Sequence, residues 1–122
     1  MQILVVEDEP VLRELANVIL QECGYSVLQA STGVEALKLW EANKESIDLV
    51  ITDMVMPEGM SGMDLAYQLH SVRPDVRIVF ASGYSMDDLN TSFLRRGRTA
   101  FLQKPYTHTT LAQTVRSTLD QS

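Results

Sequence analysis

Acidic side chains gather at two places far apart in the chain. Glu7, Asp8 and Glu9 follow an apolar run over 3–6, and Asp53 follows a second apolar run over 49–51. A hydroxyl, Ser82, comes just after the run 76–80, and an amine, Lys104, comes just after the run 100–102. Two carboxylates about 4 Å apart repel by about 4 kcal/mol at an effective dielectric of about 20. Acids brought into one cleft therefore either raise a pKa or hold a cation. Oxygen ligands that leave open positions suit Mg²⁺, which keeps several waters and binds through few protein carboxylates. A carboxylate fixed at the end of a buried strand is costly unless it is used. Such a group can act as a nucleophile toward phosphorus. Lys104 would hold a phosphoryl oxygen as a point charge. The predicted chemistry is phosphoryl capture, which is mostly positioning and charge neutralisation. Glu9 is assigned instead to the positive end of the helix that follows it.

These residues can meet only if the elements before them end at one rim. Five apolar runs, at 3–6, 25–28, 49–51, 76–80 and 100–102, read as strands; the first, third and fourth are continuous and rich in Val and Ile, as strands covered on both faces are. Between them lie stripes at helical spacing: Leu12, Leu15, Ile19 and Cys23; Val34, Leu37 and Trp40; Met63, Ala66 and Leu69; Met86, Leu89 and Phe93; Leu111, Val115 and Leu119. Core packing is the expectation for all of them. Thr32 with Glu35 reads as a capping box, and Ser61 with Asp64 and Ser85 with Asp88 repeat its spacing. Pro10 suits a first helical turn. The pattern is an α/β fold, a doubly wound five-stranded parallel sheet in the order 2-1-3-4-5 with five helices, flavodoxin-like. In such a sheet ligands sit beyond the carboxyl ends of the strands, where Glu7, Asp8, Asp53, Ser82 and Lys104 all fall.

Composition limits the alternatives. The 122 residues fit one domain, residues 1–122, with ordinary globular usage at 45% hydrophobic and 21% charged. A single cysteine, Cys23, rules out an internal disulfide. Ten basic against sixteen acidic residues give a net charge of −6, so no direct nucleic-acid binding is expected. No apolar run approaches the ~18 residues of a membrane span, and the start has neither a basic region nor a long apolar segment, so a cytoplasmic protein is expected. His70 and His108 have no metal-spaced partners and are expected on the surface.

The chain resembles the receiver domain of two-component response regulators over nearly its whole length. The matching pieces are VVEDEP at 5–10, TDMVMP at 52–57, SG at 61–62, ASGY at 81–84 and FLQKP at 101–105. The resemblance implies that Asp53 is the phosphoacceptor. It makes Glu7, Asp8 and Asp53, with the Val55 carbonyl, the Mg²⁺ site. Ser82 becomes the switch hydroxyl, Lys104 the phosphate-contacting lysine with a cis bond to Pro105, and Phe101 the aromatic that moves with Ser82. The face made by the fourth helix, fifth strand and fifth helix would shift. The donor would be a phosphohistidine on a sensor histidine kinase or a histidine phosphotransfer protein, docking near the first helix and the Lys104 loop, with homodimerisation on phosphorylation left open. The chain would be a self-phosphorylating acceptor at most, without a metabolic substrate. Its wording is most similar to receivers of hybrid sensor histidine kinases, and a stand-alone regulator is equally compatible.

Three departures stand out: Glu-Asp replaces the commoner Asp-Asp pair, Phe101 lacks a phenolic oxygen, and the loop before Gly62 holds one extra residue. The longer Glu7 can reach a metal through water. A flavin carrier of the same architecture needs a phosphate cradle where this chain has acids. An aspartyl phosphatase needs a general acid where it has Met54 and Val55. The remaining alternative is a degenerate receiver, a protein-interaction module that takes no phosphate.

Overall fold

The computed structural model describes residues 1–54, 61–82 and 99–120, the side chains of Ser82 and Thr99 apart. The elements are β1 (Gln2–Val6), α1 (Pro10–Glu22), β2 (Ser26–Ala30), α2 (Gly33–Asn43), β3 (Ile47–Asp53), α3 (Gly62–Val72), β4 (Arg77–Ser82), β5 (Thr99–Gln103) and α4 (His108–Leu119). The expected helix over Met86, Leu89 and Phe93 lies outside the described residues, so α4 is the fifth helix of the sequence reading. All strands run parallel, in the order β2-β1-β3-β4-β5.

The central strands are apolar on both sides because both sides are covered. Ile3, Leu4, Val5 and Val6 are all buried. Leu4 and Val6 face one core with Trp40, Leu65, Leu69, Ile78 and Phe80, under α2 and α3. Ile3 and Val5 face the other, with Ile19, Leu20, Val79, Leu111 and Val115, under α1 and α4. Each such buried side chain contributes about 1.5–3 kcal/mol of transfer free energy, which fixes the strands in register and their ends at one rim.

Helix starts are set by short polar side chains. The Ser61 hydroxyl accepts from the Asp64 amide while Asp64 accepts from the Ser61 amide, a complete capping box. At α2 only half of the expected box forms. Thr32 accepts from the Glu35 amide, but the Glu35 carboxylate turns to the Ser31 hydroxyl at 3.0 Å. Pro10 opens α1, and Gly24, at φ +94°, turns the chain out of it into β2.

Some expected core positions are corrected. Leu15, Cys23 and Val34 are exposed, and the buried face of α1 runs instead through Ala16, Asn17, Ile19 and Leu20. The stripe had followed the larger apolar residues, whereas helix geometry puts the small Ala16 inward. His70 is half-buried rather than solvated, while His108 is exposed as expected. β2 is shifted one residue later at its start than the run 25–28, and β3 extends far enough to include Asp53.

Candidate functional site

Asp53 is the last residue of β3, next to Ala81 of β4 across the ladder. Thr52 locks it from behind, donating its hydroxyl to the Asp53 carbonyl at 3.1 Å. Beyond it the Met54 amide donates to the Ala81 carbonyl, and the Gly62 amide donates to the Met54 carbonyl. A Cβ on Gly62 would lie 2.0 Å from the Asp53 carbonyl oxygen, so the start of α3 can approach the strand end only as glycine. The motif SG at 61–62 was noted in the sequence, but this role needs the tertiary contact to be seen.

Glu7 and Asp8 leave β1 beside Asp53. The Glu7 amide donates to the Ala30 carbonyl, and Arg13 Nη1 donates to the Glu7 carbonyl at 2.9 Å. Arg13, reaching back one turn from α1, was missed in the sequence because nothing in its spacing marks a bond to a backbone carbonyl. Glu7 is buried and Asp8 is the accessible member of the pair. One carboxylate oxygen from each of Glu7, Asp8 and Asp53 lies within 4.8 Å of the others. Glu9 stays outside this group, at the N-cap of α1 with no side-chain cap bond.

Lys104 follows β5 and precedes a cis peptide bond to Pro105. Its Nζ lies 2.6 Å from Glu7 Oε1 and 2.8 Å from Asp53 Oδ1. Three carboxylates against one ammonium leave two negative charges when all are ionised, the charge of one divalent cation. All the donors are hard oxygens, and ligands of one Mg²⁺ at about 2.1 Å span at most about 4.2 Å, so small side-chain rotations suffice. The residues fit the ion.

Electrostatics follow from this packing. Burial, reinforced by the Glu7 carboxylate, pushes the Asp53 carboxyl up to about 7 against the opposing pull of Lys104. For Lys104, burial pulls the amine down, but Asp53 and Glu7 outweigh it and the net direction is up. Burial also raises the neighbouring Tyr106 phenol.

Ser82 ends β4, opposite Gln103 of β5. Its backbone is thus at the same rim, while its side chain and all of Val55 lie outside the described residues. Phe101 pairs with Phe80, is half-buried, and packs against the core under α2 and α3. Among the described residues no helix is long and apolar enough to cross a membrane.

Comparison with known proteins agrees with this geometry. Residues 3–116 match the family model of the response regulator receiver domain. The chain is 38% identical over 119 residues to the sensor kinase CckA of Brucella abortus, covering 98% of itself and 12% of that protein. It superposes on the receiver domain protein of Clostridium thermocellum with a TM-score of 0.88 at 31% identity, covering 98% of itself and 94% of that chain. The response regulator TrrA of Thermotoga maritima, solved in complex with Mg²⁺ and BeF, matches with a TM-score of 0.81 at 34% identity, over 96% and 97% of the two chains. Receivers of this kind bind Mg²⁺ in an acidic pocket and act as phosphorylation-based switches served by histidine kinases or phosphotransfer proteins. An acidic rim built at the carboxyl ends of a 2-1-3-4-5 sheet and a family match spanning almost every residue lead to one conclusion: the chain belongs to the response regulator receiver domains of two-component signalling.

Proposed function

We propose that residues 1–122 form one receiver domain in which Asp53 accepts a phosphoryl group from a phosphohistidine. An Asp53 carboxylate oxygen attacks phosphorus, the P–N bond breaks, and the imidazole keeps the electron pair and takes up a proton. Glu7, Asp8 and Asp53, with the Val55 carbonyl, would hold Mg²⁺. The bound ion would supply neutralisation of the carboxylates and of the phosphoryl oxygens. Lys104 favours the ionised form of Asp53, against the larger opposing effect of burial, and offers its ammonium to a phosphoryl oxygen. Phosphorylation adds up to about two negative charges at the strand end. Ser82 and Phe101 would respond, shifting the face made by the segment between β4 and β5, β5 itself and α4. The observation that carries this reading is the contact of Lys104 Nζ with Asp53 Oδ1 at 2.8 Å, inside the cluster of Glu7, Asp8 and Asp53.

The donor is a sensor histidine kinase or a histidine phosphotransfer protein. Beside the site, Pro10, Val11, Glu14, Leu15 and Val18 line one apolar groove, and Leu12, Leu15, Lys104, Pro105 and Tyr106 line another. Val11 is 79% exposed. A helix of the donor laid across Leu15 would reach both grooves with its histidine near Lys104. The similarity to CckA supports a receiver attached to a kinase in the cytoplasm, and dimerisation of the phosphorylated chain is measurable by sedimentation.

Incubation with a small phosphodonor and Mg²⁺, read by intact mass, tests the proposal. One added phosphoryl group is expected, lost with chelator or with Asp53→Asn. A gain that Asp53→Asn retains refutes the assignment. No gain from any donor, with metal bound, marks a degenerate receiver.

A further inference from the structure

We infer, on the phosphotransfer reading above, that Arg13 is a positioning residue: it fixes the joint between the turn after β1 and helix α1, so that a donor seated on α1 meets Asp53 in one geometry. Arg13 Nη1 donates to the Glu7 carbonyl at 2.9 Å. That carbonyl and the Asp8 amide belong to one planar peptide unit, so the bond sets the direction in which the chain leaves β1. Arg13 is half-buried, and among the described residues its side chain forms no ion pair. The guanidinium therefore serves the backbone and not a carboxylate.

The start of α1 gives this tie its importance. Thr32, Ser61 and Thr107 each cap a helix by accepting from the amide three residues on. Glu9, at the N-cap of α1, makes no side-chain cap bond, and Pro10 follows it. Residues 7–9 are all acids, so α1 has no hydroxyl where the other helices have one. A helix start without a cap is loosely held. Arg13, the fourth residue of α1, restrains it from within: its bond reaches six residues back and spans Pro10 and the whole turn. The turn itself is fixed to the sheet, since the Glu7 amide donates to the Ala30 carbonyl, and the Glu9 amide donates to Glu7 Oε2 at 3.2 Å. β1, the turn and α1 thus form one frame. Val11, Leu15 and Val18 are exposed on that same helix, so the place of a docked donor relative to Asp53 is set through Arg13.

Arg13→Met, which keeps most of the apolar stem and removes the donor group, tests this by nuclear magnetic resonance and by kinetics. In the metal-free wild type a coupling across the hydrogen bond, from Arg13 Nη1 to the Glu7 carbonyl carbon, is expected. In Arg13→Met the residual dipolar couplings of the α1 amides should shrink relative to those of the sheet. Phosphotransfer is measured from a panel of phosphorylated histidine kinases and phosphotransfer proteins, taking the one that labels the wild type fastest. With that donor at saturation the rate should fall about tenfold or more, because small misplacement of reacting atoms is costly, while donor affinity changes by less than about twofold. Labelling by a small phosphodonor should fall about threefold at most. Arg13→Lys, which returns a charged donor on a shorter arm, should recover part of the rate. Thr32→Ala, which uncaps α2, should leave the rate unchanged; a matching fall there makes Arg13 a stabilising residue only and overturns the inference. Unchanged dipolar couplings or an unchanged saturated rate in Arg13→Met overturn it as well. So does a rate loss carried by donor affinity, which makes Arg13 a docking contact, and so does labelling of the wild type by the small donor alone. Failure of every donor to label the wild type overturns the receiver reading instead, and the couplings then judge the joint by themselves.

Discussion

At Asp53 burial and a neighbouring acid oppose one ammonium, and burial prevails, so the metal-free carboxyl titrates at about 7. The consequence for binding has a definite sign. Below that value the cation must displace a proton, so apparent Mg²⁺ affinity should rise about tenfold per pH unit up to about pH 7 and level off above it. Calorimetry from pH 5.5 to 8 checks this, and a flat profile over that range contradicts it. Stability runs the other way. Between the ordinary value of 3.8 and about 7 the metal-free folded chain binds more protons than the unfolded one, so its stability should fall as pH rises through that window. The residue types were legible in the sequence because only a few side chains can do this chemistry. The pairing of Glu7 with Lys104 was not, since the two lie 97 residues apart in the chain.

Among the elements, the strand end that carries Asp53 is held by the start of α3. Gly62→Ala would drive a methyl into the Asp53 carbonyl, with 2.0 Å where ordinary contact needs more than 3.4 Å. The expected loss is about 1–3 kcal/mol, the usual cost of overpacking, read by urea unfolding, with slower phosphorylation of Asp53. Ser61→Ala, one residue earlier, removes a cap for about 1 kcal/mol and should leave the phosphorylation rate nearly unchanged. Equal effects of the two on that rate would mean that Gly62 matters only for stability. Element identity and order were readable from apolar runs and caps. Helix faces were less so: in α1 the small Ala16 is inward and the larger Leu15 outward, and only packing against the sheet decides that.

Across the whole molecule, the parallel sheet gathers groups from β1, β3 and β5 at one rim, and α1 sets an apolar surface beside it. Val11→Asp places a charge on that surface without touching the core, because Val11 is 79% exposed. Phosphotransfer from a phosphohistidine protein should fall about tenfold or more in kcat/KM, as for an interface anchor. Labelling by a small phosphodonor should stay unchanged. A parallel fall in both would place the defect in the site. The fold class followed from β/α alternation alone. The proposed docking region, near the first helix and the Lys104 loop, came only from the family resemblance; the apolar surface there was not legible, since Leu15 was assigned to the core and Val11 and Val18 carried no signal, while all three are exposed.

Borohydride reduction of the phosphorylated chain, followed by peptide mass mapping, addresses the central claim most directly, because it converts an aspartyl phosphate to homoserine where the phosphoryl group stood. Homoserine at position 53, dependent on Mg²⁺, is the expected result. Homoserine at any other position, or its formation at 53 with chelator present, would contradict the account.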